Sequence, residues 1–345
     1  MSRFSSTLIT GASGEIGHGL IARLKAASPQ PIITLDLNPL APEMAAAVRK
    51  EFVGSILDTQ LLERINAEYE VDRVFHLAAL LSTRSEFSPA LAHKVNVEGT
   101  LNLLEFAQRE GETHGRPVLF FYPSSVAAYG LPDLATKAAA GKVREDDHLM
   151  PTTMYGANKL YCEHLGRYYG RHFKQLAADR LGKIDFRCIR FPGLISADTV
   201  PSGGTSDYAP EMIHAAAKGE AYACFVRPDT RIPFMAMPDA VEAVLRLTAA
   251  PREKLSRVVY NIGTFAPTAG EIQRIVEAAF PAARITTQVD LKRQSIVDSW
   301  PADVDDTAAR ADWGHAPKYG LREAFADYLI PRIRERYSVG QTSFD

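Results

Sequence analysis

Cysteine is scarce in this 345-residue sequence, and long hydrophobic runs are absent. Cys162, Cys188 and Cys224 are isolated and odd in number, so they fit neither a disulfide framework nor the paired ligands of a structural zinc site. We therefore expect buried free thiols and no metal. No stretch of about 18 consecutive apolar residues occurs, and residues 1–10 lack the apolar core of a signal peptide. These features predict a cytoplasmic protein without a membrane partner.

An excess of charge of one sign is also missing. Lys and Arg total 39, Asp and Glu total 41, and the formal net charge is -2. The basic side chains form no stripe of the kind that follows a phosphate backbone, so nucleic acid is not an expected partner. Hydrophobic residues make up 46% of the chain, which is enough for a large buried core. The length indicates one large domain with a dependent second lobe.

Short apolar runs alternate with helical patterns in the first part of the chain. The runs predict strands at residues 7–10, 32–35, 73–77, 118–122 and 185–191. Apolar residues at three- and four-residue spacing predict long helices at 89–109 and 155–173, and the polar stretch 131–150 is interpreted as a loop. This alternation is typical of an α/β fold with a Rossmann-type, doubly wound parallel sheet.

The alternation breaks from Pro192 onward. A loop at 201–204 is followed by helical patterns at 208–218, 238–247 and 268–279. We interpret residues 1–191 as a Rossmann domain. Residues 192–345 are expected to form mainly a smaller α/β substrate-binding lobe, with some segments returning to the Rossmann domain.

Three glycines follow the first predicted strand in the pattern G-x-x-G-x-x-G. Gly11 permits a tight turn, Gly14 leaves room for a pyrophosphate beside the backbone, and Gly17 lets a helix pack on the strand. Asp36 ends the next apolar run, 19 residues beyond Gly17, where its carboxylate can accept hydrogen bonds from the adenosine ribose. A carboxylate there repels a 2′-phosphate, so the predicted cofactor is NAD. The alternative role for Asp36 is a cap after the strand.

Tyr155 and Lys159 are four residues apart in a predicted helix, so they share one face. An ammonium beside a phenol favours the phenolate, which could then act as a general base. The pair is weak evidence alone. It gains weight from the glycine turn, Asp36, and the Ser124-Ser125 pair at the end of the predicted strand at 118–122.

Together these motifs resemble the extended short-chain dehydrogenase/reductase family, also called the NAD-dependent epimerase/dehydratase family, over nearly the whole chain. Segments 191–196, 203–209, 299–301 and 305–315 are similar to its short-chain-type L-threonine 3-dehydrogenase branch. The resemblance implies NAD-dependent oxidation of a secondary hydroxyl on a small substrate. For threonine the product would be 2-amino-3-oxobutanoate.

The resemblance also implies a set of site residues. The catalytic residues would be Tyr155 as the general base, Lys159 holding it, and Ser125 bonding the reacting oxygen. The cofactor-binding residues would be Gly11, Gly14, Glu15, Ile16, Gly17, Asp36, Ser55, Ile56, Leu77, Ala78, Ala79, Asn96, Tyr155, Lys159, Pro192, Gly193 and Leu194. The substrate-binding residues would be Ser82, Ser124, Ser125, Tyr155, Gly204, Thr205 and Trp300, although Trp300 could equally serve packing.

Some positions depart from the family pattern. Ser55 stands where the family has an Asp for the adenine amine, and Phe234 and Ala236 replace Met and Tyr beside the pocket. The phosphate-clamping arginine of nucleotide-sugar enzymes is replaced by Ile232, next to Arg231. A nucleotide-sugar epimerase or dehydratase, an aldonate dehydrogenase, and a non-catalytic dinucleotide-binding regulator remain as alternatives. The two long helices, near Asn96 and Tyr155, resemble those that pair into an intersubunit four-helix bundle, which predicts a homodimer.

Overall fold

A computed structural model describes residues 4–177, 181–201 and 203–338. Within these residues the strands are β1 (Phe4–Thr10), β2 (Ile32–Asp36), β3 (Lys50–Val53), β4 (Tyr69–His76), β5 (Val118–Ser125), β6 (Lys142–Val143), β7 (Ile184–Phe191), β8 (Gly193–Ile195), β9 (Ala221–Cys224), β10 (Phe234–Ala236), β11 (Val259–Asn261), β12 (Arg284–Thr287) and β13 (Asp303–Val304).

The α-helices of the same ranges are α1 (Glu15–Ala27), α2 (Pro42–Ala45), α3 (Thr59–Glu68), α4 (Ser82–Phe87), α5 (Pro89–His93), α6 (Gly99–His114), α7 (Leu134–Ala140), α8 (Met154–Arg171), α9 (Tyr208–Lys218), α10 (Met237–Ala249), α11 (Ala269–Ala279), α12 (Leu291–Asp298), α13 (Thr307–Trp313), α14 (Leu321–Glu323) and α15 (Ile330–Ser338). Short 3-10 helices occur at Val126–Ala128 and Arg252–Lys254, and π-helical turns at Lys94–Glu98 and Ala324–Leu329.

The central sheet is parallel, with the strand order β3-β2-β1-β4-β5-β7-β11. The strand order reverses direction between β1 and β4, and in such folds ligands bind beyond the carboxyl ends of the strands at this switch point. The buried apolar faces of β1, β2, β4, β5 and β7 account for the near-continuous apolar runs in the sequence. The predicted α/β, Rossmann-type fold is confirmed.

The two long helices predicted beside the sheet are present with small differences. The first consists of α5, the π-helical turn Lys94–Glu98 and α6 in direct succession. The second is α8, which begins after Thr153, whose side chain accepts a hydrogen bond from the Gly156 backbone N–H at 3.0 Å.

The stretch 131–150 is not the simple loop that its composition predicts. It contains α7, where the Asp133 side chain caps the helix by accepting from the Thr136 N–H at 2.7 Å. It also contains β6, which pairs in parallel with β13. The prediction was wrong because the Ala- and Lys-rich composition also suits a short helix, and because the partner strand lies 160 residues away in the sequence.

The C-terminal part supplies a second core. The predicted helices at 208–218, 238–247 and 268–279 correspond to α9, α10 and α11. Of the predicted loop 201–204, Ser202 lies outside the described residues, as do residues 339–345 of the predicted lobe. The division at residue 191 stays a prediction. Beyond it, β11 belongs to the central sheet and α10 packs against that sheet.

No helix among the described residues is long and apolar enough to cross a lipid bilayer.

Candidate active site

The glycine turn lies at the carboxyl end of β1, at the switch point of the sheet. Gly11 has a φ of +67°, and a Cβ added there would lie 2.5 Å from the Ala78 backbone nitrogen. A Cβ at Gly17 would lie 2.3 Å from the Ala12 carbonyl oxygen, so only glycine lets α1 approach β1 this closely. Gly14 is the N-cap of α1, so the first N–H groups of the helix are presented at the turn. This arrangement fits a bound pyrophosphate.

Asp36 is held beside this turn. Its carboxylate accepts hydrogen bonds from the backbone N–H of Ser13 at 2.9 Å and of Asn38 at 3.1 Å. Asp36, which is predicted to bind the ribose, and the glycine turn are therefore adjacent in space, as a dinucleotide site requires.

The next wall of the site follows β4. Asn96 is buried and exchanges two hydrogen bonds with the Leu80 backbone, at 2.8 Å and 3.0 Å. The Asn96 amide uses both its oxygen and its nitrogen in these bonds. They hold the backbone directly after Leu77, Ala78 and Ala79 in place. The Ser55 hydroxyl accepts a hydrogen bond from the Leu57 N–H at 3.1 Å. The Ile56 side chain packs against Gly99, the first residue of α6.

His76 lies under this wall and was not predicted as a site residue. Its ring nitrogens contact the Thr10 hydroxyl at 2.8 Å and the Thr100 hydroxyl at 2.9 Å. Burial, assisted by the positive charge of Lys159, lowers the pKa of His76 to about 3. The sequence offers only the His76-Leu77-Ala78-Ala79 run as a signal for this position.

Tyr155, Lys159 and Ser125 meet where α8 begins against the end of β5. Lys159 is buried, and its Nζ donates to the Pro123 carbonyl oxygen at 2.6 Å. The same Nζ lies 5.4 Å from the Tyr155 ring centroid and 4.6 Å from that of Tyr122. The structure thus brings the three predicted catalytic side chains together.

The pKa values at this cluster differ from the simple expectation. Burial raises the pKa of the Tyr155 phenol, although a hydrogen bond from Ser125 opposes the increase. Burial lowers the pKa of Lys159 to about 8. The expected lowering of the Tyr155 pKa by Lys159 is not found in this structure, where burial dominates the pKa of the phenol.

Ser124 and Ser125 point to opposite sides of β5, as strand geometry requires. The Ser124 hydroxyl donates to Glu163 Oε1 at 2.5 Å in a buried position. Glu163 in turn accepts from Arg190 at 2.6 Å and 2.8 Å, forming an ion pair in which the side chains are 1% and 2% exposed. Glu163 and Arg190 were missed by sequence reasoning, since their pairing depends on α8 crossing β7.

Three of the predicted substrate residues, Ser82, Gly204 and Thr205, lie close together where α4 meets the second lobe. Thr205 donates to the Ser82 hydroxyl at 3.2 Å, and Thr83 donates to the Gly203 carbonyl oxygen at 2.9 Å. The Gly204 N–H donates to Asp207 at 2.7 Å. Residues from α4 and from the second lobe are thereby joined at one point.

Other predicted residues lie elsewhere around the glycine turn and the second lobe. Glu15 accepts from the Thr199 hydroxyl at 2.5 Å, which links the glycine turn to the second lobe. Gly193 and Leu194 belong to β8, and a Cβ at Gly193 would lie 2.6 Å from the Phe234 ring. Trp300 is buried in the core of the second lobe, as its packing interpretation predicts.

Cys162, Cys188 and Cys224 are free and buried. Within the described part of the chain, no group of three or more His, Cys, Asp or Glu side chains could hold a metal ion.

Comparison with known proteins agrees with this geometry. The model of the NAD dependent epimerase/dehydratase family matches residues 7–263. The mitochondrial L-threonine 3-dehydrogenase of Bos taurus is 35% identical over 329 residues, which are 93% of this chain and 81% of the bovine protein.

Two solved structures are similar over nearly their full length. A monomeric L-threonine 3-dehydrogenase from a metagenome has a TM-score of 0.84 and 35% identity, with 96% of this chain and 99% of that chain covered. The holo form of the L-threonine dehydrogenase from Cupriavidus necator has a TM-score of 0.83 and 34% identity, with 95% and 99% covered.

Proposed function

We propose, because the chain belongs to the NAD dependent epimerase/dehydratase family, that it is a dehydrogenase oxidising the C3 hydroxyl of L-threonine to 2-amino-3-oxobutanoate. Two findings support this proposal. The glycine turn follows β1 and the Ser125, Tyr155 and Lys159 cluster lies at the end of β5 in the same parallel sheet. The similar proteins over most of this chain include L-threonine 3-dehydrogenases.

The cofactor is NAD, in keeping with the family. Its pyrophosphate would be held by the turn from Gly11 to Gly17, and its adenosine ribose by Asp36. When bound, NAD⁺ supplies the hydride acceptor and a positive charge.

The chain's own residues handle the proton. Tyr155 takes the proton of the C3 hydroxyl of the substrate. The hydrogen on C3 leaves as hydride to the acceptor, and the C3–O bond becomes a carbonyl. Ser125 hydrogen-bonds to the reacting oxygen. Lys159, fixed by Pro123 at 2.6 Å, places its ammonium 5.4 Å from the Tyr155 ring centroid. Burial raises the pKa of Tyr155. The positive charge of bound NAD⁺ would therefore be needed to favour the phenolate.

The substrate side would be formed by Ser82 and Thr205, whose hydroxyls lie 3.2 Å apart. Two hydroxyls at this distance can bind the carboxylate of a small amino acid.

A nucleotide-sugar substrate is less well supported. Ile232 is fully buried in the core of the second lobe. Arg231 bonds to the Ala266 carbonyl oxygen and pairs with Glu271 at 3.3 Å, so its guanidinium is already occupied at the surface. Neither side chain is free to clamp a pyrophosphate.

NADH formation with a panel of hydroxy compounds tests the proposal. We expect activity with L-threonine and less than one hundredth of it with D-threonine, L-serine, 3-hydroxybutyrate and aldonates. Activity confined to an aldonate would keep the proposed base and refute the proposed substrate. The absence of turnover with every compound, despite NADH binding, would support a non-catalytic regulator.

We also propose that the chain forms a homodimer through a four-helix bundle. The exposed face shared by α5, α6 and α8 carries large apolar side chains: Leu91, Leu101, Tyr161 and Tyr168. Such a row at helical spacing suits the pairing of two copies. One similar protein is called monomeric in its own description, so the oligomeric state is not transferred from relatives.

Light scattering tests the dimer. Leu101→Glu and Tyr168→Glu should halve the mass, whereas Leu291→Glu, at an exposed apolar residue of α12 in the second lobe, should not. A wild-type monomer at micromolar concentration would refute the dimer. The cytoplasmic location expected from the sequence stays a prediction, and the bovine relative is a mitochondrial protein.

A further inference from the structure

A cavity of about 390 Å³ is lined by none of the three catalytic side chains. It lies between the C-terminal half of α8, the residues before and at the start of β11, and the segment after β6. Arg167 and Arg171 reach it from α8, and they lie at least twelve residues beyond Tyr155. At 1.5 Å per residue this separation is roughly 18 Å along the helix axis. The cavity is therefore not an extension of the site described above.

Positive charge dominates the lining. Four guanidinium groups face two carboxylates: Arg167, Arg171, Arg190 and Arg257 against Glu145 and Asp146. Arg257 is paired, with Asp146 at 2.8 Å and Glu145 at 3.7 Å. Arg190 is fixed at the floor by Glu163 at 2.6 Å and by the Glu145 carbonyl oxygen at 2.6 Å.

The other two arginines lack carboxylate partners. Among the described residues, Arg167 makes its one hydrogen bond with the His164 ring, at 3.3 Å. Within residues 4–177, 181–201 and 203–338, Arg171 makes no hydrogen bond or ion pair. The lining carboxylates Glu145 and Asp146 pair with Arg257, so Arg167 and Arg171, one helical turn apart, keep uncompensated charges beside the rigid Arg190.

We propose that this arginine cavity binds a small molecule that carries a phosphate group. Guanidinium groups donate in a fixed fork that matches two oxygens of a phosphate. A volume of about 390 Å³ lies within the usual range of small-ligand pockets and exceeds what one phosphate ion needs. The room left over suits a short organic tail, so a small phosphomonoester fits better than the free ion.

Isothermal titration calorimetry at constant ionic strength tests the proposal, with inorganic phosphate and glycerol 3-phosphate as probes and chloride as the balancing anion. The protein is first saturated with NADH, which fills its phosphate-binding glycine turn. We expect saturable binding of one molecule per chain. Tighter binding of glycerol 3-phosphate would assign the cavity to a phosphomonoester, and tighter binding of phosphate to the free ion.

Charge variants identify the site. Arg171→Glu should weaken binding at least tenfold, whereas Arg284→Glu makes the same charge change on β12 in the second lobe and should leave the affinity unchanged. Asp146→Asn removes a competing carboxylate and should tighten binding about threefold. The absence of saturable binding by either probe, or equal affinities in the wild type and Arg171→Glu, would overturn the proposal.

Discussion

At the scale of single residues, we propose that Asp36 selects the dinucleotide that the glycine turn binds. Its carboxylate already accepts from Ser13 and Asn38 and lies beside the glycines. Asp36→Ala should weaken NADH binding at least tenfold, because charged hydrogen bonds of about 1.5–3 kcal/mol are lost. The same variant should reduce discrimination against NADPH, since the repulsion of a 2′-phosphate disappears.

Fluorescence titration with both reduced dinucleotides measures this change. Asp327→Ala, at an exposed carboxylate, is the matched control. An unchanged preference for NADH in Asp36→Ala would reduce Asp36 to a turn cap.

His76 predicts a sensitivity to acid. Its pKa is about 3 in the folded protein against an ordinary value of 6.5, so the unfolded chain binds an extra proton between these values. Stability supplied by the neutral ring is complete above pH 6.5 and declines as the pH falls toward 3. From pH 7 to pH 4.5 this one residue should cost roughly 2–3 kcal/mol of unfolding free energy.

Urea unfolding of the wild type and His76→Gln at both pH values isolates that contribution. The variant should lose about 2–3 kcal/mol less than the wild type on acidification. The exposed His93→Gln should behave as the wild type. Equal losses in all three proteins would contradict a buried neutral His76.

Among single residues, local motifs were the predictable part. Gly11, Asp36, Tyr155 and Lys159 are signalled by short spacings that strand, turn and helix geometry interpret directly. The pKa of Tyr155 was not predictable, because it depends on how deeply the ring is buried. Depth of burial follows from the packing of the second lobe, which no local pattern encodes.

At the scale of elements, the Glu163–Arg190 pair joins α8 to β7. Both side chains are almost fully buried, at 1% and 2% exposure. Glu163→Gln should destabilise the protein by about 3–5 kcal/mol, because it leaves the Arg190 charge without its partner. The double variant Glu163→Leu with Arg190→Met should recover much of this loss.

Chemical denaturation measures both variants. A loss of less than 1 kcal/mol in Glu163→Gln would show that Glu163 and Arg190 are not a coupled pair. A double variant that is less stable than Glu163→Gln would show the same.

Element prediction succeeded where periodicity was strong and failed where pairing was distant. The helices α8, α9 and α11 lie within a few residues of their predicted bounds. The small strands β6 and β13 were not predicted, since two residues per strand give no alternation to detect and each depends on a partner far along the chain.

At the scale of the whole molecule, the sheet depends on the C-terminal half of the chain. Strand β11 completes its edge beside β7, and α10 covers one face. Met237, Ala240, Val244 and Leu247 of α10 share a buried cluster with Ile189 and Phe191 of β7. The Rossmann part is therefore structurally incomplete without segments beyond residue 191.

A fragment of residues 1–191 should not fold cooperatively. It would expose the apolar face that α10 covers, and such loss of packing leaves a compact but loosely ordered state. Near-UV circular dichroism and dye binding distinguish this loosely ordered state from a folded domain. A sharp urea transition in the fragment would show instead that residue 191 ends an autonomous domain.

The central claim is that Tyr155 removes the hydroxyl proton of L-threonine while NAD is reduced. The most direct test measures NADH formation with L-threonine in the wild type and in Tyr155→Phe, together with NADH affinity in both. The account predicts a rate reduced at least a thousandfold in Tyr155→Phe, with NADH affinity changed less than threefold. A Tyr155→Phe enzyme that oxidises L-threonine at near the wild-type rate would contradict the account.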